Sequence, residues 1–148
     1  MSAIESLLSR RSVRKFTTRP VPKEFIEKIV AAGHRAATAN NIQPWVFVVV
    51  TDANDRLKIK NMCPKNGPYI EFAPVCICVF CENVKYYLED GCAATQNILN
   101  AAHFLGLGAV WVAGDKKEYA DDIRKFLNVP ENYKLVSLIP IGYADGET

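Results

Sequence analysis

Cys92, Ala93, Ala94, Ile98, Leu99, Ala101, Ala102 and Leu105 surround much of the circumference of a helix predicted over Tyr86 to Gly106. A helix that is apolar on so many sides must be covered on those sides, so the fold is built around it. Gly106 and Gly108 are expected to close it. The material that can cover it is limited. Trp45 to Thr51 and Val75 to Cys81 are rich in β-branched, aromatic or other apolar residues and read as buried strands. Ala109 to Val112 and Leu135 to Tyr143 read as a third and a last strand. Further helices are expected over Ser2 to Ser9, with Ile4, Leu7 and Leu8 on one face, and over Lys23 to Arg35, with Pro22 in its first turn. The second carries a stripe of Phe25, Ile26, Ile29 and Val30. Asp52 to Asn61 reads as a short polar helix and Lys117 to Leu127 as a surface helix. Arg10 to Pro20 is polar and basic, Ala36 to Pro44 is a loop in which Pro44 biases Gln43 toward extended backbone, and Met62 to Pro74 is irregular. Interleaved helices and strands give a three-layer α/β or α+β body, with strand direction left open by periodicity. The 148 residues show no repeat or low-complexity tract, and one domain over 1–148 is expected.

Charge excludes some functions. The net charge of +2 is too small to argue for nucleic acid. The basic residues are instead local: Arg10, Arg11, Arg14, Lys15 and Arg19 crowd one segment and suit a small anion. No apolar run reaches the roughly 18 residues a membrane helix needs, and no leader is apparent. The five cysteines are odd in number, so reduced thiols in a cytoplasmic protein are expected. Cys76-x-Cys78-x-x-Cys81, with Cys63 upstream, could be taken for a zinc or iron–sulfur set. Cys76 and Cys78 sit in an apolar strand, however, where cysteine acts as a small hydrophobe, so no metal is expected.

Three segments carry candidate chemistry. In Arg10-Arg11-Ser12-Val13-Arg14, guanidinium forks match phosphate oxygens, and an extended backbone would set Arg10, Ser12 and Arg14 on one face. A solvated basic turn explains the same residues. In Ala36 to Trp45, small residues admit a planar ligand, and Asn41 and Gln43 offer amides to a heterocycle edge. A turn cluster explains these equally well. In Gly106 to Gly114 the G-x-G ends a helix and enters a strand, the reverse of the dinucleotide-binding order, so that reading is rejected. Gly114 could still let backbone approach a ring. His34 and His103 read as helix residues, and Tyr86, Tyr87, Glu89 and Asp90 as the start of the long helix.

Taken in order, these segments are more specific than any one of them. Arg10 to Phe16, then Asn41-x-Gln43-Pro44-Trp45 entering a strand, then Asp90-Gly91-Cys92-Ala93-Ala94-Thr95-Gln96-Asn97-Ile98-Leu99 and on through Gly106-Leu107-Gly108 to Trp111, resemble the nitroreductase family along nearly the whole chain. The resemblance implies a homodimeric α+β fold of three layers, with a central, mostly antiparallel sheet flanked by helices and FMN at the subunit interface. It implies that Arg10 and Ser12 hold the phosphate and ribityl chain, with Arg11 nearby, and that Arg14 lies over the pyrimidine edge. Ala37, Thr38, Ala39 and Asn41, with Gln43 adjacent, match the stretch that a partner lays against the flavin. Trp111, Val112, Ala113 and Gly114 match the strand end facing the ring. Ala37-Thr38 stands where the family usually has Pro-Ser. No Lys or Arg follows Lys134, so phosphate binding is expected to rest on the N-terminal arginines.

The implied activity is ping-pong electron transfer from NADH or NADPH to a small-molecule acceptor such as a nitroaromatic or quinone. No side-chain acid or base is required, since the chemistry belongs to FMN. A specialised branch of the same fold, such as a reductive dehalogenase or a flavin-consuming enzyme, is a second enzyme reading; such branches usually carry distinctive lid residues, which are not expected in this sequence. A flavin-binding or redox-sensing module without substantial turnover is the alternative.

Overall fold

The structure is a computed structural model and describes residues 1–146. Among the described residues, five α-helices and five strands form three layers. Helices α1 (Ala3–Ser9), α2 (Lys23–His34) and α4 (Tyr87–Phe104) lie on one face of a sheet, and α3 (Ala53–Met62) and α5 (Ala120–Phe126) on the other. The sheet holds β1 (Trp45–Val50), β2 (Val75–Glu82), β5 (Tyr133–Gly142) and β3 (Gly108–Ala109) in that order, with β4 (Val112–Ala113) also on β5. Among the described residues every strand ladder is antiparallel, and the one parallel pairing is an isolated bridge from Ser12 to Ala109. The fold is therefore the α+β form implied by the resemblance.

Alternation along the strands creates two cores. Trp45, Ile77, Val79, Cys81 and Ile139 face α2 and α4, while Val50, Cys76, Cys78, Phe80 and Leu138 face α3 and α5. Seven of the eight β2 residues are buried, which is why that run carries no polar alternation. The long helix is central as its composition demands, and it closes by a Schellman motif: Gly106 takes φ 85° and donates to His103, and Leu107 donates to Ala102. Gly108 is not part of that closure. It is the first residue of β3, and its role is steric.

Three local expectations are corrected. Pro22 is the N-cap of α2 rather than its first turn. Gln43 is not extended: its φ is 54°, held there by hydrogen bonds described below. The strand expected over Ala109 to Val112 is two pieces, β3 and β4. The register on β5 continues unbroken from Ala109↔Ile141 to Val112↔Leu138, so the gap falls opposite Pro140 and Ile139. Proline has no N–H to give a neighbouring strand, and pairing lapses there.

The buried thiols set an alkaline limit on stability. Burial pushes Cys63 and Cys81 up to about 12 from the usual 9.0. A raised thiol stabilises the folded chain fully below the unfolded value and less as pH rises toward the folded one. The unfolding free energy from urea titration is thus expected to fall between about pH 9 and 12, by roughly 1 kcal/mol per pH unit per thiol. Cys81→Ala should flatten that fall; an equally steep fall in the variant would place its cause elsewhere.

Candidate functional site

The basic segment is not a solvated turn. Val13 donates to the Ala109 carbonyl at 2.9 Å, laying Arg10 to Val13 along the outer edge of β3. Farther on, Phe16 bridges Ala144, Thr17 donates to Tyr143, and the Arg19 guanidinium lies 4.0 Å over the Tyr143 ring. Val13 is buried, so alternation leaves its neighbours Ser12 and Arg14 on the other side, Ser12 half-buried and Arg14 exposed. Arg10 is half-buried and Arg11 exposed. Among the described residues, none of the three arginines forms an ion pair. Gly108 makes the close approach possible, since a Cβ there would stand 2.6 Å from Val13 Cβ.

The stretch Trp111 to Gly114 lies on the same sheet edge. Trp111 packs on the α2/α4 core, Val112 points into the other core, and Ala113 is exposed. The β2–β5 register slips between Val79 and Phe80, leaving Val136 as an extra residue on β5. Such bulges redirect a strand locally. The freed Val136 carbonyl accepts from both Gly114 and Asp115, at 3.1 and 3.3 Å, and thereby ends β4. Tyr119 hydroxyl donates to the Ala113 carbonyl. A Cβ on Gly114 would meet Leu135 Cγ at 2.6 Å, so packing alone requires this glycine. Tyr87 donates to Asp115 at 2.8 Å, and burial together with that bond pushes its phenol up to about 12. The adjacent cleft, lined by Asp115, Lys116, Glu131 and Lys134 among others, mixes both charge signs.

The Ala37 to Gln43 loop is at the opposite edge. It leads into β1, which is separated from β3 and β4 by β2 and β5, roughly 14 Å by strand spacing. Asp90 of α4 holds it: Thr38 hydroxyl donates to Oδ2 at 2.9 Å and Ala39 N–H to Oδ1 at 3.1 Å. Gln43 N–H in turn donates to Thr38 Oγ1, and Gln43 Nε2 to Asn41 Oδ1. Asn40, Asn41 and Gln43 have φ of 54°, 55° and 54°. Asn tolerates that region and Gln does so less readily, so the hydrogen bonds carry the conformation.

One chain thus brings Arg10, Arg11, Ser12 and Arg14 together with Trp111 to Gly114, and holds Ala37, Thr38, Ala39, Asn41 and Gln43 apart from them. Sequence reasoning missed the role of Asp90, which shares the first turn of α4 with Glu89. It also missed the bond from Trp45 Nε1 to His34 Nδ1 at 3.0 Å, which ties the loop's exit to α2. No helix among the described residues is long and apolar enough to cross a membrane.

Comparisons with known proteins agree with one another. The model of the nitroreductase family matches residues 7–80 and 82–143. A Methanothermobacter thermautotrophicus protein, provisionally named NADH dehydrogenase/NAD(P)H nitroreductase, is 38% identical over 149 residues, spanning 97% of this chain and 78% of that one. The solved FMN-dependent nitroreductase of Clostridium difficile R20291 superposes with a TM-score of 0.92 at 31% identity, covering 98% of this chain and 89% of its own. An iodotyrosine deiodinase of Nematostella vectensis is 29% identical over 174 residues, spanning 94% of this chain and 66% of that one.

Proposed function

This chain belongs to the nitroreductase family, and on that premise we propose that it is an FMN-dependent oxidoreductase, working as a cytoplasmic homodimer of one-domain subunits. Electrons pass from NADH or NADPH to a nitroaromatic, quinone or similar small acceptor by a ping-pong scheme. The observation that carries this reading is the pairing of an arginine segment with a bulge-terminated strand end on one sheet edge.

The donor set suits FMN. Guanidinium groups without ion pairs among the described residues, beside a half-buried hydroxyl, fit a phosphate and its polyol chain. In this reading Arg10 and Ser12 hold the phosphate and ribityl chain, with Arg11 contributing charge. Arg14 sets a positive charge against the pyrimidine edge, which favours the reduced, anionic form. The backbone of Trp111, Val112, Ala113 and Gly114 faces the ring. When bound, the flavin supplies the hydride and electron transfer; the chain supplies binding, orientation and charge.

The other wall comes from a second copy, whose Ala37, Thr38, Ala39, Asn41 and Gln43 close over the ring. Two observations support this division. The loop lies across the sheet from the arginines of its own chain. Helix α1 also turns its apolar residues outward: Ile4, Leu7 and Leu8 are exposed, Leu8 at 83%, while Ser6 is buried. Leu7, with exposed Phe104 on α4, lines an apolar cleft of the kind a partner covers.

Two measurements test the proposal. The purified dimer, or the dimer reconstituted with FMN, should release FMN on heating and consume NADH or NADPH with a quinone, giving parallel double-reciprocal lines. An FMN-loaded dimer that consumes neither nucleotide would leave only a flavin-binding module. Intersecting lines would remove the ping-pong scheme.

A further inference from the structure

Asp90 is the one buried carboxylate among the described residues, 4% exposed. An ionised carboxylate taken from water is costly unless it is paired or hydrogen-bonded. No cation pairs with it among the described residues. Its two oxygens instead take the Thr38 hydroxyl and the Ala39 N–H. The Thr38 hydroxyl then accepts the Gln43 N–H at 3.1 Å, so a continuous line runs from Asp90 through Thr38 to Gln43. Between these anchors Asn40, Asn41 and Gln43 hold left-handed backbone, a conformation that costs free energy in any residue but glycine. The anchors face inward, while the amides of Asn41 and Gln43 are exposed. A buried charge therefore maintains a strained loop whose polar tips point to solvent. That is the arrangement expected of a preorganised binding surface, in which ordering is completed before the ligand arrives.

We propose that Asp90 is a positioning residue for the flavin bound by the other subunit. It touches no ligand. It fixes the Thr38–Gln43 loop so that Asn41 and Gln43 meet a ring whose phosphate the opposite chain holds. The inference rests on the flavin reading above and extends it: affinity in one site depends on a carboxylate in the chain that does not bind the phosphate.

The test uses the full-length dimer and the variants Asp90→Asn, Thr38→Val and their combination. FMN dissociation constants, dimer content and amide hydrogen exchange at Ala39 and Gln43 are measured for each. Each single variant should weaken FMN by about tenfold, the scale of one charge-assisted hydrogen bond. Exchange at Ala39 and Gln43 should quicken while β1 and the middle of α4 stay protected. The combination should bind no more weakly than the worse single variant, because both break one line of bonds. If Asp90→Asn does not yield folded dimer, Thr38→Val reports on the same line. Folded variants that keep full FMN affinity, additive losses, or unchanged exchange at both amides would each overturn the inference. A wild-type dimer with no affinity for FMN would overturn the flavin reading first, and the exchange data would still report whether Asp90 holds the loop.

Discussion

Gly108→Ala should destabilise the subunit by about 2–3 kcal/mol and remove most of its FMN affinity, although residue 108 faces no ligand. The added Cβ would stand 2.6 Å from Val13 Cβ, 2.6 Å from Cγ2 and 2.7 Å from Cγ1. Val13 Cβ cannot rotate away, because it moves only with a backbone held by the bond from Val13 N–H to Ala109. Either β3 retreats from β5 or the arginine segment lifts from the sheet edge. Gly106→Ala is the control. Its φ of 85° makes alanine costly by roughly 1 kcal/mol, but a Cβ there meets nothing within 4 Å. Urea denaturation and FMN titration of both variants separate the effects. Equal stability losses with FMN affinity intact in Gly108→Ala would show that the segment's seat on β3 does not matter for binding.

Arg10→Ala should leave folding within about 0.5 kcal/mol of the parent and weaken FMN by about 10- to 150-fold. The first part follows because Arg10 forms no ion pair among the described residues. The second follows because a guanidinium on a phosphate makes charge-assisted and often bidentate hydrogen bonds. Arg11→Ala, at an exposed position, should cost only a few-fold, and that loss should shrink with added salt. FMN affinity unchanged in Arg10→Ala at low salt would remove this residue from the phosphate site.

What the sequence made legible follows physical lines. The long helix could be read because its apolar positions exceed one face, and β2 because an unbroken apolar run has only a buried strand to form. The break between β3 and β4 was also present in the text of the chain, in Pro140, but its effect falls on the neighbouring strand and appears only once the register is known. The outward turn of Ile4, Leu7 and Leu8 was illegible, since a stripe on a helix does not say whether its own core or another chain will cover it. Asp90 was read as a helix-start residue. Its two partners lie 52 and 51 positions away, and nothing in the spacing announces them. Candidate ligand contacts came from family resemblance; the residues that hold those contacts in place came from the structure.

The central claim is that the arginines and the amide loop enclosing one flavin come from different chains. Mixed dimers test it directly. One chain carries Arg10→Ala and Arg14→Ala, the other Asn41→Ala and Gln43→Ala, and the mixed species is isolated by two affinity tags. If the site is shared between chains, both lesions fall in one site and the second is intact, so the mixed dimer binds one FMN with parental affinity while neither variant homodimer does. If the arginines and the loop serve a ligand of their own chain, each site of the mixed dimer carries one lesion. A mixed dimer with no parental-affinity site would contradict the account.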